Sequence, residues 1–204
     1  MVVVGLDLAG VETRPTGFCM LTNDLHVETC EVFTDQQIIE KTLQANPQII
    51  TIDAPLSLPP DRRSLEEKTG SHLRDSDRIL LDMGIKIFPI TLGPMRKLTS
   101  RGIKLREAFT RRGFCVFEAY PGGAQDVLGI PRKQKGIDGL RMGLETLGLE
   151  GFRCQLSDHE LDAATIAYVG KLFLEGQAVV YGDPVFGILM PKGEFGKKKK
   201  TKDN

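Results

Sequence analysis

Four acidic residues stand where the chain is otherwise apolar. Asp7 interrupts Val2-Val3-Val4-Gly5-Leu6, Asp53 follows Ile49-Ile50-Thr51-Ile52, and Glu118 follows Phe114-Cys115-Val116-Phe117. Asp162 lies inside Leu161-Asp162-Ala163-Ala164-Thr165-Ile166-Ala167. A buried carboxylate is costly unless it is paired, protonated or given a metal. Carboxylates gathered together repel one another, and a hard divalent cation relieves that repulsion through oxygen ligands. Asp7, Asp53, Glu118 and Asp162 are therefore candidate catalytic residues and candidate ligands for Mg²⁺ or Mn²⁺. The matching chemistry is phosphodiester hydrolysis by a metal-activated water, without a covalent intermediate. Any one of the four could be an ordinary turn or cap residue, as Asp53 before Ala54-Pro55 could be. The same placement recurring four times points to a site.

Neighbouring acids have simpler explanations. Ser157 and Glu160 form an S-x-x-E capping box at the start of a helix, which accounts for Glu160. Asp158 in that first turn suits the helix dipole. Asp162 comes too late to cap. His159, three residues before Asp162, is placed to shuttle a proton or touch a phosphate, or simply to be a solvated first-turn residue. His26 reads as a strand-surface residue, and His72 is undecided. There is no G-x-S-x-G elbow, and Pro121-Gly122-Gly123 has neither Walker nor dinucleotide-fold spacing. It reads as a loop that brings backbone close to Glu118.

Basic residues gather in the middle of the chain: Arg62, Arg63, Arg74, Arg78, Arg96, Lys97, Arg101, Lys104, Arg106, Arg111 and Arg112, then Arg132, Lys133 and Lys135. A solvated helix face is the default reading of such a run. Beside a row of carboxylates it also suits a phosphate backbone, so DNA or RNA is the expected partner. Arg74 and Arg78, one helical turn apart, are the expected substrate-phosphate contacts.

The elements that must position these groups read as follows. Val2–Ala9, Thr16–Leu21 and Leu25–Phe33 form three antiparallel strands, with Asn23-Asp24 turning between the last two. Asp35–Ala45 is a helix stopped by Asn46-Pro47, and Gln48–Asp53 is a fourth strand returning beside the first. Ser71–Met83 is helical, Ile85–Ile90 extended, and Gly93-Pro94 a loop. Thr99–Arg112 is an amphipathic helix and Phe114–Glu118 a strand. Ile137–Leu147 and Ser157–Glu175 are helices, and Asp183–Met190 is a short extended piece. This order predicts an α/β, RNase H-like (resolvase-like) mixed sheet, three antiparallel strands then parallel ones, flanked by helices. The actin-like kinase fold opens in the same way.

At 204 residues the chain suits one domain. Its expected limits are residues 1–192, with a helical and loop insertion around 56–112 and a disordered Lys-rich tail at 193–204. The 27 basic and 27 acidic residues cancel, so global charge selects no partner. The N-terminus lacks the basic leader of a signal peptide, and no window is apolar for the ~18 residues that a membrane helix needs. Cys19, Cys30, Cys115 and Cys154 show no ligand spacing. The apolar contexts of Cys19, Cys115 and Cys154 suit buried thiols. The expected location is cytoplasmic.

Five ordered blocks carry a resemblance: residues 4–10 (VGLDLAG), 52–59 (IDAPLSLP), 74–78 (RDSDR), 117–123 (FEAYPGG) and 159–164 (HELDAA). Together with Gly182-Asp183-Pro184 and Ile188-Leu189-Met190-Pro191, they resemble an uncharacterised family of predicted RNase H-like nucleases, domain-of-unknown-function family 429, over roughly residues 3–191. The resemblance implies a Holliday-junction-resolvase-like arrangement. Asp7 would be its first-strand acid, Asp53 its fourth-strand acid and Asp162 its last-helix acid, with Glu118 as a family-specific addition. Where that family often has a cysteine before the Asp-Arg pair, this chain has Ser76, which counts against a thiol role.

The expected function is that of a divalent-metal-dependent nuclease or phosphodiesterase. Two alternatives stand beside it. One is a nucleic-acid-binding or scaffold domain without turnover. The other is an actin-like phosphotransferase, suggested by the phosphate-loop look of Asp7–Thr13 and opposed by the two duplicated lobes and greater length that such kinases usually need.

Overall fold

The computed structural model describes residues 1–193. Its valine- and isoleucine-rich segments pair as a seven-stranded mixed sheet in the order β3-β2-β1-β4-β5-β7-β6. Strands β1 (Val2–Asp7), β2 (Thr16–Thr22) and β3 (Val27–Val32) are consecutive antiparallel neighbours. Helix α1 (Asp35–Ala45) then carries the chain across, so that β4 (Ile49–Ile52) lies parallel to β1 on its other side, with Val3 opposite Ile49 and Leu6 opposite Ile52. Strand β5 (Cys115–Ala119) is parallel to β4, β7 (Ile188–Pro191) is parallel to β5, and β6 (Ala178–Tyr181) closes the edge antiparallel. This is the α/β, RNase H-like sheet expected, extended by the β6–β7 hairpin.

Helices cover both faces. Helix α1 begins at Thr34, whose hydroxyl accepts the Gln37 N–H in a capping box, and ends at Asn46 in the left-handed region before Pro47. It shares a core with α3 (Gly93–Thr110), built around Val4, Leu6, Ile50, Ile52, Leu105 and Phe109. The other face is covered by α6 (Asp158–Leu174), with α4 (Pro121–Leu128) and α5 (Ile137–Thr146) packed beside it. Burial on nearly every side explains why α6 is apolar almost all round.

Several boundaries differ from expectation. Gly93-Pro94 opens α3 instead of looping, because proline fits the first helical turn, where its missing N–H costs nothing. Pro121 likewise starts α4 where a loop was expected. Ile85–Ile90 pairs with no strand, and Ala178–Tyr181 is a strand that was not anticipated. Of the three thiols expected to be buried, Cys19 is; Cys115, at the outward-facing start of β5, and Cys154, in a bend, are exposed. The lysine tail from residue 194 lies outside the described residues. Among the described residues no helix is long and apolar enough to cross a membrane.

Candidate functional site

The parallel order of β1, β4 and β5 brings three carboxylates to one end of the sheet. Asp7 is the last residue of β1, opposite Gly17 of β2. Asp53 follows β4 directly, and its N–H donates to the Leu6 carbonyl at 2.9 Å. Glu118 sits in β5 opposite Ile52. Asp162 arrives from above, on α6. Two glycines decide how close that helix comes. A Cβ on Gly17 would stand 2.0 Å from the His159 carbonyl oxygen, and one on Gly5 would stand 2.1 Å from that of Ala163. Strand glycines often mark such close backbone approach, and here they lower α6 until His159 and Asp162 overhang the strand ends.

Each acid has a different set of partners. Asp7 Oδ2 and His159 Nδ1 are 2.7 Å apart. That bond raises the His159 pKa above the ordinary imidazole range against the opposing effect of burial. His159 therefore faces Asp7; it is not the partner of Asp162. The Oδ1 atom of Asp162 accepts from Gln125 Nε2 at 2.8 Å, and its Oδ2 meets Lys133 Nζ at 2.8 Å. Lys133 also reaches Asp158 Oδ2 at 3.0 Å, so one ammonium bridges two helix carboxylates. Burial raises the Asp162 pKa; Lys133 pulls it back and Asp7 pushes it further up. Burial opposes the charge on Lys133, but the bonds to Asp162 and Asp158 hold its pKa above the usual lysine range. Lys133 sits in a short 3-10 turn, Lys133–Lys135, and read only as part of the basic run in the sequence; Gln125 lies on the unanticipated α4.

Asp53 is the exception. Its carboxylate has no hydrogen bond or ion pair among the described residues. Burial, and then the charges of Asp7, Asp162 and Glu118, push its pKa well above the ordinary carboxylate range, with the charge of Lys133 opposing them.

Glu118 is held quite differently. Arg74 NH2 donates to its Oε1 at 2.7 Å, and Arg74 NH1 and the Leu56 N–H donate to its Oε2 at 2.5 and 2.9 Å. The remaining face of the guanidinium binds Asp77, from Nε at 3.1 Å and NH2 at 2.7 Å. Arg74 is 4% exposed. Its donors are all engaged within the protein, which corrects the expectation that it touches a substrate phosphate. Both oxygens of Glu118 already accept charge-assisted bonds, so the geometry makes it the anchor of Arg74 and not the ligand expected. Burial still raises its pKa, with Arg74 opposing. Arg78 is half-exposed and bonded within its own segment, to Asp75 at 3.0 Å and to Ser71 Oγ at 2.6 Å. Glu160 completes the capping box with Ser157 and also accepts from Thr29 at 2.8 Å. Arg101, expected in the basic strip, is buried and ties α3 to Asp35 and to the carbonyls of Ala9 and Phe33.

Among the described residues no three His, Cys, Asp or Glu side chains form a metal-ligand cluster. The donor chemistry nevertheless fits a hard divalent cation. Asp7 and Asp53 offer oxygen alone, Asp53 has no counter-charge bound to it, and the nearby Asp158–Asp162 pair already draws in a cation, the Lys133 ammonium.

No protein-family model matches the chain, and no curated protein matches it. Among solved structures, the chain is similar to Thermus thermophilus RuvC in complex with a Holliday junction substrate, at 16% identity and a TM-score of 0.48, covering 86% of this chain and 96% of that one. It is also similar to a second Thermus thermophilus RuvC structure, at 15% identity and a TM-score of 0.46, covering 86% and 97%.

Proposed function

We propose that the chain is a divalent-metal-dependent nuclease or phosphodiesterase, with its centre at Asp7, Asp53 and Asp162. The observation that carries this reading is Asp53: a carboxylate at the sheet edge with no hydrogen bond or ion pair among the described residues, pushed toward protonation by desolvation and three other acids with only the Lys133 charge opposing. A fold that only needed stability would supply a counter-charge there, as it does for Glu118. Asp7, Asp53 and Asp162 would hold Mg²⁺ or Mn²⁺, which when bound supplies the Lewis acidity that makes water nucleophilic and steadies a departing oxygen. His159 fixes the orientation of Asp7 and can carry a proton at Nδ1. Glu118 and Arg74 act as positioning residues, since Glu118 receives the Leu56 N–H and so anchors the segment that leaves Asp53.

A phosphate chain suits the surroundings. A cavity of about 740 Å³ beside His159 is bordered by Arg14 and Lys97, neither of which forms an ion pair among the described residues. Nucleic acid is the proposed substrate, with those two cations on its backbone.

One observation favours a second reading, a nucleic-acid-binding domain without turnover. Lys133 already neutralises Asp162, and a protein that never takes up a metal would keep such a bridge permanently.

The deciding experiment is a cleavage screen over single-stranded, double-stranded, hybrid and branched substrates with Mg²⁺ and Mn²⁺, run beside Asp53→Asn. Cleavage by wild type that is lost in the variant supports the nuclease. Binding without cleavage in both chains supports the second reading.

A further inference from the structure

A separate cavity of about 480 Å³ lies between the segment after β4, α2 (Asp75–Asp82), α3 and the turn joining β6 to β7. Arg74 lines both this cavity and the one that contains Asp53. Its walls include Leu56, Leu58, Ile103 and Phe186, and the hydroxyls of Ser57 and Ser76 interrupt them. An apolar pocket with a few convergent polar groups is the usual form of a small-ligand site.

Ser76 is the most telling of these residues. It is 3% exposed and Gly182 is packed against it, yet its hydroxyl has no hydrogen-bond partner among the described residues. Among buried side-chain atoms of the described residues only Thr42 Oγ1 lacks a partner, so the Ser76 hydroxyl keeps an opening toward the cavity that its residue lines, where a ligand's polar edge can complete its bonding.

Arg106 supplies the second observation. Its guanidinium carbon lies 4.2 Å from the centroid of the Phe186 ring, and its one hydrogen bond is a long one, 3.5 Å to the Val185 carbonyl. Burial lowers its pKa, while Asp183, Glu107 and Glu118 sustain its charge. Asp75, Glu107 and Asp183 line the same cavity as this guanidinium, and their charges oppose an anionic ligand. An aliphatic ligand would fill the walls but leave Ser76 unpaired. A neutral planar ring with polar atoms on its edge meets both conditions: it stacks on the guanidinium plane and turns its edge to the hydroxyls.

We propose that this cavity is a nucleobase-binding site, with Arg106 and Phe186 as the stacking platform and Ser76, aided by Ser57, reading the edge of the ring. Its use as a substrate-base subsite rests on the nuclease reading, because Ser57 lies on the segment that leaves Asp53. Binding of a free base does not rest on it.

The test uses the full chain in EDTA with ¹³C-labelled isoleucine and leucine methyl groups, titrated with adenosine, cytidine, ribose 5-phosphate and toluene. Adenosine should shift the Ile103 methyl by its ring current and saturate at ~0.1–1 mM. Ser76→Ala and Arg106→Gln should each weaken binding at least about 5-fold, while Asp53→Asn should leave it unchanged. Equal binding of ribose 5-phosphate would make this a phosphate site, and equal binding of toluene a plain apolar cavity. Either result, or a silent Ile103 methyl, overturns the proposal. Absent adenosine binding in a chain that cleaves nucleic acid would sink the base site alone. Adenosine binding in a chain that cleaves nothing would sink the nuclease reading alone.

Discussion

Asp53 and Glu118 are neighbours at the ends of adjacent strands, Glu118 buried and Asp53 partly exposed, and desolvation raises the pKa of both. They differ in what reaches them. Glu118 receives a bidentate guanidinium and a backbone amide, and Arg74 is in turn held by Asp77. Asp53 receives no bond among the described residues and faces three other acids, with only the charge of Lys133 set against them. The same charge at the same sheet edge is thus a fastener in one case and an unmet demand in the other. Repulsion maintained where a partner could have been supplied marks a site prepared for something that is not part of the chain.

The sharpest way to break that contrast is Asp53→Asn. Activity should fall ~10³-fold or more, because a ligand oxygen is lost at the reacting centre, as checked by cleavage rates. Stability should move the opposite way. A folded-state pKa above the unfolded value means that the native state binds the proton more tightly, so the wild type loses stability as pH rises through that raised pKa. In EDTA at neutral pH the variant should melt higher, by roughly 2–4 °C for each kcal/mol of repulsion removed. The difference should close below the ordinary carboxylate pKa of about 3.9. A variant no more stable than wild type at neutral pH would show that Asp53 is not under strain.

On the Glu118 side, Arg74→Ala should destabilise by ~3–5 kcal/mol in urea unfolding, since it abandons two buried carboxylates at once. Arg74→Lys should recover only part of this, because an ammonium cannot match the fork. Lys133→Met tests whether the acidic edge borrows its compensation. The metal-free protein should lose ~1 kcal/mol, a modest value because this lysine is partly solvated, and Mn²⁺ should raise the melting temperature more in the variant than in wild type. An equal Mn²⁺ response would separate Lys133 from the cation site. The smallest effect belongs to Glu160→Gln. Glutamine can keep the capping box, so the change should stay within ~1 kcal/mol and leave cleavage intact; a folded but inactive protein would return Glu160 to the site.

Much of this was legible from residue patterns. Asp7, Asp53 and Glu118 announced themselves by ending apolar runs, because a strand buried on both faces tolerates a charge only at its margin. The capping box of α6 fixed the start of that helix and removed Glu160 from contention, and Asn46-Pro47 marked the end of α1. The arginines misled for a physical reason. A basic side chain reads as solvated in a sequence, yet Arg74 and Arg101 are buried because carboxylates and carbonyls remote in the chain converge on them. Lys133 was hidden in the same way, as one cation among several. Gly17 carried a signal that could have been used, since a glycine inside a strand asks what approaches it.

By itself the sequence determined the arrangement of the first four strands, the cap of α6 and the set of acids, all of which follow from local periodicity and short-range bonding. Which acids are satisfied was decided only in three dimensions. Compensation of a buried charge depends on distances between groups far apart in the chain: Arg74 to Glu118, Lys133 to Asp162, His159 to Asp7. Asp53 could be named from its strand, but its lack of a partner became visible only when every neighbour had been placed.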